Sequence, residues 1–133
     1  MIVVDTNIVA YLLVEGAPTA DAEAVFERDP AWCAPVLWRS EFQNVLARRV
    51  QHGQTSLEAS VEALAAATQL FEEREFRPGG EHVLRLAADS GCSAYDCEFV
   101  AVARDLAIPL VTLDRAILRA FPEIAIEARQ FAR

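Results

Sequence analysis

Two acidic residues stand directly after short apolar runs that predict buried strands. Asp5 follows the β-branched run at 2–4, and Asp114 follows the similar run at 109–112 after a single leucine. Ligand sites in open α/β sheets form at the carboxyl ends of parallel strands. Taken singly, each acid also has an ordinary explanation as the N-cap of a following helix, where a carboxylate accepts backbone N–H bonds.

Glu41 lies inside a predicted helix over residues 36–52. At 100° per residue it shares its direction with Trp38 and Val45, so it falls on a largely apolar face. An unpartnered carboxylate is costly to bury there. A salt bridge to Arg48 along the same helix is the ordinary alternative.

Asp96 lies in the first turn of a predicted helix over residues 94–107. With Ser93 it matches a capping box, which explains an acid at this position. The same rotation places Asp96 above Phe99 on the face that should pack inward, which a cap does not explain. Glu98 is expected to point to the opposite, wetter side.

Together the four acids predict a cation site at one end of a parallel sheet. Several buried carboxylates cannot all stay ionised without a countercharge. All 12 basic residues are arginine, so no lysine is available. Oxygen ligands without clustered His or Cys favour Mg²⁺ or Mn²⁺ over zinc.

The composition predicts one folded domain over residues 1–133. An apolar fraction of 53% argues against disorder, and no segment is apolar for long enough to cross a membrane. The N-terminus lacks the basic stretch of a signal peptide, so we expect a cytoplasmic protein. The net charge of −8 counts against tight sequence-independent binding of nucleic acid. Three widely spaced cysteines predict small buried side chains rather than disulfides.

Apolar periodicity predicts short strands alternating with helices, and hence an α/β fold with a central parallel sheet covered on both faces. Gly16 and Pro18 separate the first two helices. The predicted strands are 2–4, 75–77, 109–112 and 124–126. The predicted helices are 6–14, 19–28, 36–52, 56–73, 81–89, 94–107 and 115–121.

Four stretches of the chain resemble the PIN-domain family, and within it the VapC-type toxins. They occur in the family's order and spacing and span essentially the whole chain. These stretches are Val3-Val4-Asp5-Thr6-Asn7-Ile8, Ser40-Glu41 with Asn44-Val45-Leu46, Ser93-Ala94-Tyr95-Asp96 through Ala103, and Leu110-Val111-Thr112-Leu113-Asp114.

The resemblance implies a three-layer α/β/α fold. It also implies that one or two metal ions are bound by an acidic quartet: Asp5, Glu41, Asp96 and Asp114. Asn7 and Thr112 match polar positions that support these acids, and Glu98 is an extra acid found in some members. A bound ion would activate water for in-line hydrolysis of a phosphodiester.

VapC-type members cleave structured RNA such as tRNA or rRNA, form homodimers and are silenced by a cognate antitoxin. For the RNA, the candidate phosphate contacts near the motifs are arginines: Arg39, Arg48, Arg49 and Arg115. The surplus of acid leads us to expect an antitoxin that presents Arg or Lys to the pocket.

Three alternatives stay open. The chain is an RNA-processing nuclease outside a toxin pair, or a non-catalytic PIN-like binding module, or a receiver-like or phosphatase-like phosphoryl acceptor. The last class relies on a lysine that this chain lacks, and the phosphatase pattern wants an acid where Asn7 stands.

Overall fold

A computed structural model describes residues 1–14 and 19–133. Within them, five short strands form one sheet in the order β3-β2-β1-β4-β5, and every neighbouring pair is parallel. The strands are β1 (Ile2–Val4), β2 (Trp32–Pro35), β3 (Glu75–Phe76), β4 (Leu110–Thr112) and β5 (Ala125–Glu127). The strand order reverses between β1 and β4, so their carboxyl ends flank the crevice where sheets of this kind bind ligands.

Helices cover the sheet as two layers, which confirms the predicted three-layer α/β fold. They are α1 (Thr6–Leu13), α2 (Ala20–Arg28), α3 (Trp38–Gln51), α4 (Leu57–Leu70), α5 (Gly80–Ser90), α6 (Ala94–Leu106), α7 (Arg115–Ala120) and α8 (Ala128–Ala132). Helix α6 packs on β1, β2 and β4 and carries α5, whereas α1 packs on β4 and carries α2, α3 and α4.

The core forms because the central strands are apolar on both faces. All of β1 and β4 is buried, as are Phe99 and Val100 on the inner face of α6. On the other side Trp38 packs against Phe71, with ring centroids 4.6 Å apart. No helix in the described part of the chain has the length and apolar character needed to cross a bilayer.

Several predicted elements differ from the observed ones. Strand β2 and helix α8 were not predicted, α3 begins at Trp38 rather than residue 36, and α4 ends at Leu70 rather than residue 73. On α4, Leu57 and Val61 are exposed, although they continue the apolar spacing of that helix. Gly16 and Pro18, predicted to separate the first two helices, lie outside the described residues.

Candidate active site

Asp5 lies at the carboxyl end of β1 and is the N-cap of α1. Its backbone N–H continues the ladder to Val111 O of β4 at 3.0 Å. One carboxylate oxygen, Oδ1, accepts the backbone N–H of Thr6 at 2.8 Å, and Oδ2 accepts the hydroxyl of Thr112 at 2.7 Å. The cap therefore accounts for one oxygen, and a side chain from the neighbouring strand holds the other.

Thr112 joins Asp5 to Asp114. Its fully buried hydroxyl donates to Asp5 and also accepts the backbone N–H of Asp114 at 3.0 Å. Asp114 Oδ1 in turn accepts the N–H of Ile117 at 3.0 Å, so Asp114 is the N-cap of α7 as its position suggested. The adjacent strands β1 and β4 thus deliver two acids to one edge of the sheet.

Glu41 lies in the first turn of α3 and is half-buried. Its Oε1 accepts the hydroxyl of Thr6 at 2.8 Å. Among the described residues it forms no ion pair with Arg48, so the predicted alternative of a salt bridge along the helix is wrong. Sequence reasoning missed Thr6 as a partner of Glu41, because the bond depends on the packing of α1 against α3, which no local pattern records.

Asp96 lies in the first turn of α6 and is half-buried above the core residue Phe99. Ser93 caps the helix, with its Oγ accepting the Asp96 N–H at 3.1 Å. In the described chain the reciprocal bond of a capping box, from Ser93 N–H to the Asp96 carboxylate, is not formed. The Asp96 carboxylate is therefore not tied up by the backbone of its own helix.

Glu98 does not point to the wetter side of α6 as predicted. It is half-buried, burial raises its pKa, and its charge contributes to raising the pKa of Glu41. The charge of Glu98 therefore acts on Glu41, and Glu98 belongs to the electrostatic environment of the site.

Burial raises the pKa of Asp5 from 3.8 to about 6. Repulsion from Glu41 and from Asp96 adds to this effect, while the hydrogen bonds from Thr112 and Thr6 oppose it. An acid in a largely desolvated position that also faces like charges is a recognised mark of a functional site. Such an arrangement lowers the stability of the folded chain.

The same pattern extends to the other acids. Burial raises the pKa of Glu41, and the charges of Asp96 and Glu98 raise it further. Burial also raises the pKa of Asp96, with Asp114 as the repelling neighbour. Acids from α3, from α6 and from two strand ends are therefore close enough to repel one another at the edge formed by β1 and β4.

Ion pairs within the described part of the chain do not neutralise this cluster. The ion pairs formed among the described residues involve none of the four acids. In the described part of the chain, no three Asp, Glu, His or Cys side chains lie close enough together to bind one metal ion. The four acids lie in one region and repel one another, but the described side chains do not form a complete set of metal ligands.

The four candidate RNA-contacting arginines have different surroundings. Arg39 pairs with Glu75 through two bonds of 2.7 and 2.6 Å and lies over the Trp38 ring, so its guanidinium is engaged within the fold. Arg48 and Arg115 are exposed, whereas Arg49 is half-buried. Arg48 and Arg49 line a surface cavity at the C-terminal end of α3.

Asn7, predicted to support the acids, is the second residue of α1 and is half-buried. Its Oδ1 is enclosed and has no hydrogen-bond partner among the described residues, and its side chain makes no hydrogen bond to the four acids. Thr112, the other predicted supporting residue, bonds Asp5 directly.

Comparison with known proteins gives a consistent result. A family model described as PIN domain matches residues 2–124. The crystal structure of PAE2754 from Pyrobaculum aerophilum is similar with a TM-score of 0.79 and 22% sequence identity, covering 98% of this chain and 92% of that one. At this identity the likeness bears on the fold alone. No curated protein matches the chain.

Proposed function

The chain belongs to the PIN domain family, whose members are generally nucleases that act on RNA, and we propose that it is a metal-dependent endoribonuclease. The proposed catalytic centre consists of Asp5, Glu41, Asp96 and Asp114. The observation that carries this proposal is the convergence of mutually repelling carboxylates at the switch point of the sheet, where the ion pairs formed among the described residues include none of these acids.

The donor set fits Mg²⁺ or Mn²⁺. Every candidate ligand is a hard carboxylate oxygen, and a divalent charge would remove the repulsion among the acids. Because the described side chains do not form a complete ligand group as placed, binding requires some of them to rotate toward the ion. When bound, the ion would supply Lewis-acid charge at the phosphate and lower the pKa of water.

Each residue of the proposed site has a separate role. Asp5 and Asp96 would hold the ion, with Glu41 and Asp114 completing the site or holding water. Thr112 fixes the rotamer of Asp5 through its 2.7 Å hydrogen bond. Because Thr112 also accepts the N–H of Asp114, the two strand-end acids keep a set relation to each other.

The direct test is cleavage of a mixed RNA substrate by the purified chain. We expect cleavage with Mg²⁺ or Mn²⁺, none after treatment with EDTA, and recovery when the ion is added back in excess. Cleavage that persists in EDTA would exclude the proposed mechanism. A chain that binds RNA with the ion present and never cuts it would identify the module as non-catalytic.

Asp96→Asn separates the catalytic role of this acid from a capping role. The substitution keeps the shape of the side chain but removes a charge that repels its neighbours. We expect cleavage to be lost, with a melting temperature in metal-free buffer that is unchanged or higher. Asp89→Asn, at an exposed position of α5, is the matched control. A large loss of stability in Asp96→Asn alone would instead indicate that the acid caps α6.

We further propose that the chain is the toxin of a VapBC-type pair and acts as a homodimer on tRNA or rRNA. The resemblance of its four motifs to VapC-type toxins supports this, and the surplus of acid suits a basic antitoxin segment. Expression of the chain alone should arrest growth, and co-expression of a short open reading frame adjacent to its gene should relieve the arrest. Light scattering would give the oligomeric state.

A further inference from the structure

One buried residue holds two of the four acids at once. The backbone N–H of Thr6 donates to Asp5 Oδ1 at 2.8 Å, and its hydroxyl donates to Glu41 Oε1 at 2.8 Å. Thr6 is 6% exposed and therefore buried, whereas its partner Glu41 is half-buried. The link spans 35 residues of sequence and joins the start of α1 to the start of α3.

The place of Thr6 in its helix explains why its hydroxyl is available for Glu41. Inside a helix, a threonine hydroxyl commonly bonds the carbonyl four residues earlier. Thr6 is the first residue of α1, and the residue four positions earlier, Ile2, lies in β1. The carbonyl of Ile2 is instead approached by the Cys33 thiol at 3.3 Å. The Thr6 hydroxyl therefore turns to the neighbouring helix.

We propose that Thr6 is a positioning residue that sets the separation of Asp5 and Glu41 and orients the Glu41 carboxylate for the catalytic ion. This rests on the function proposed above. The hydroxyl binds one oxygen of Glu41 and leaves the other free to turn toward a cation. In the described chain Glu41 accepts no other side-chain hydrogen bond, so its orientation depends on Thr6.

Two substitutions separate this role from packing. Thr6→Val keeps the branched shape and the backbone N–H to Asp5 but removes the hydroxyl. Thr6→Ser keeps the hydroxyl and removes the methyl group. A packing role predicts that Thr6→Ser is the more harmful change, whereas positioning through Glu41 predicts that Thr6→Val is.

The readout is Mn²⁺ affinity of the purified chain by isothermal titration calorimetry, together with kcat and KM for RNA. For Thr6→Val we expect a loss of Mn²⁺ affinity of about 10-fold, the usual scale for residues that support metal ligands. We expect kcat to decrease with KM nearly unchanged, and Thr6→Ser to restore both the affinity and kcat. Circular dichroism would verify folding of each variant.

The double variant Thr6→Val/Glu41→Gln tests whether Thr6 acts through Glu41. If it does, the double variant binds Mn²⁺ no more weakly than Glu41→Gln alone. Additive losses would overturn the inference, as would a Thr6→Val variant with the affinity of the unaltered chain. If the unaltered chain neither binds Mn²⁺ nor cleaves RNA, the proposed function fails and the inference fails with it.

Discussion

At the scale of single residues, Asp5 accepts hydrogen bonds at both oxygens and still has a pKa raised by burial from 3.8 to about 6. The folded chain therefore binds this proton more tightly than the unfolded chain does. Linkage then requires stability to decrease as the pH rises from about 4 to about 6. At roughly 1.4 kcal/mol per pKa unit, the cost at neutral pH is about 3 kcal/mol.

The raised pKa of Asp5 leads to a prediction of how the stability of the metal-free protein depends on pH. The free energy of unfolding, measured by urea denaturation in EDTA, should decrease between about pH 4 and pH 6. Asp5→Asn should make the plot of unfolding free energy against pH less steep. The slope that remains would come from Glu41, Asp96 and Glu98, whose pKa values burial also raises. Asp89→Asn, at an exposed position of α5, is the matched control. An unchanged slope in Asp5→Asn would mean that Asp5 is not the group responsible.

At the scale of elements, Glu75 on the edge strand β3 is an anchor for the first turn of α3. Glu75 of β3 accepts the indole N–H of Trp38 at 2.9 Å and two N–H groups of Arg39 at 2.7 and 2.6 Å. These bonds fix the first turn of α3 against the sheet, and Glu41 lies in that same turn. The hydrogen bond from Arg39 keeps the pKa of Glu75 below its usual value, so the anchor is ionised at neutral pH.

Glu75→Ala should therefore affect both stability and catalysis. Removing a partly buried acceptor of charge-assisted bonds should cost about 1–3 kcal/mol of unfolding free energy. It should also lower kcat several-fold, because α3 loses the anchor that precedes Glu41. The control is Glu81→Ala, which breaks an ion pair with Arg85 whose side chains are 79% and 74% exposed and should cost about 0.5 kcal/mol or less. Equal costs for the two variants would show that the anchor has no special role.

The elements that sequence predicted well are those with a strong local pattern. The β-branched runs of β1 and β4 and the periodicity of α6 depend on nearby residues only. Strand β2 lacks such a pattern, because Trp32–Pro35 contains no β-branched residue and ends in proline. It forms through pairing with β1 and β3, which a local pattern does not record.

The same limit applies to the candidate site. The four acids could be proposed because each stands out against its own strand or helix. The bond from Thr6 to Glu41 could not, because it depends on how α1 packs against α3. Glu98 was misplaced for a related reason: helical rotation gives a direction but does not say which neighbouring helix fills the space on that side.

At the scale of the whole molecule, the proposed function requires an acidic protein to bind RNA, which is itself a polyanion. A net charge of −8 repels RNA, and a bound divalent ion offsets only part of that charge. Arg48 provides a local positive charge on this acidic chain. It lies seven residues beyond Glu41 on the same face of α3, about 10 Å along the axis at 1.5 Å per residue. With Arg49 and His52 it lines a surface cavity.

A phosphate of the bound strand, one or two nucleotides from the cleaved bond, would therefore meet Arg48. Arg48→Ala should raise KM for RNA and reduce the slope of log affinity against log salt by roughly one contact. It should leave kcat at saturating RNA unchanged, because the residue does not reach the acids. Arg85→Ala removes the same charge from an exposed position on α5 and serves as the control. If the two variants bind RNA equally well at every salt concentration, the effect of Arg48 is only that of net charge, and the RNA path does not follow α3.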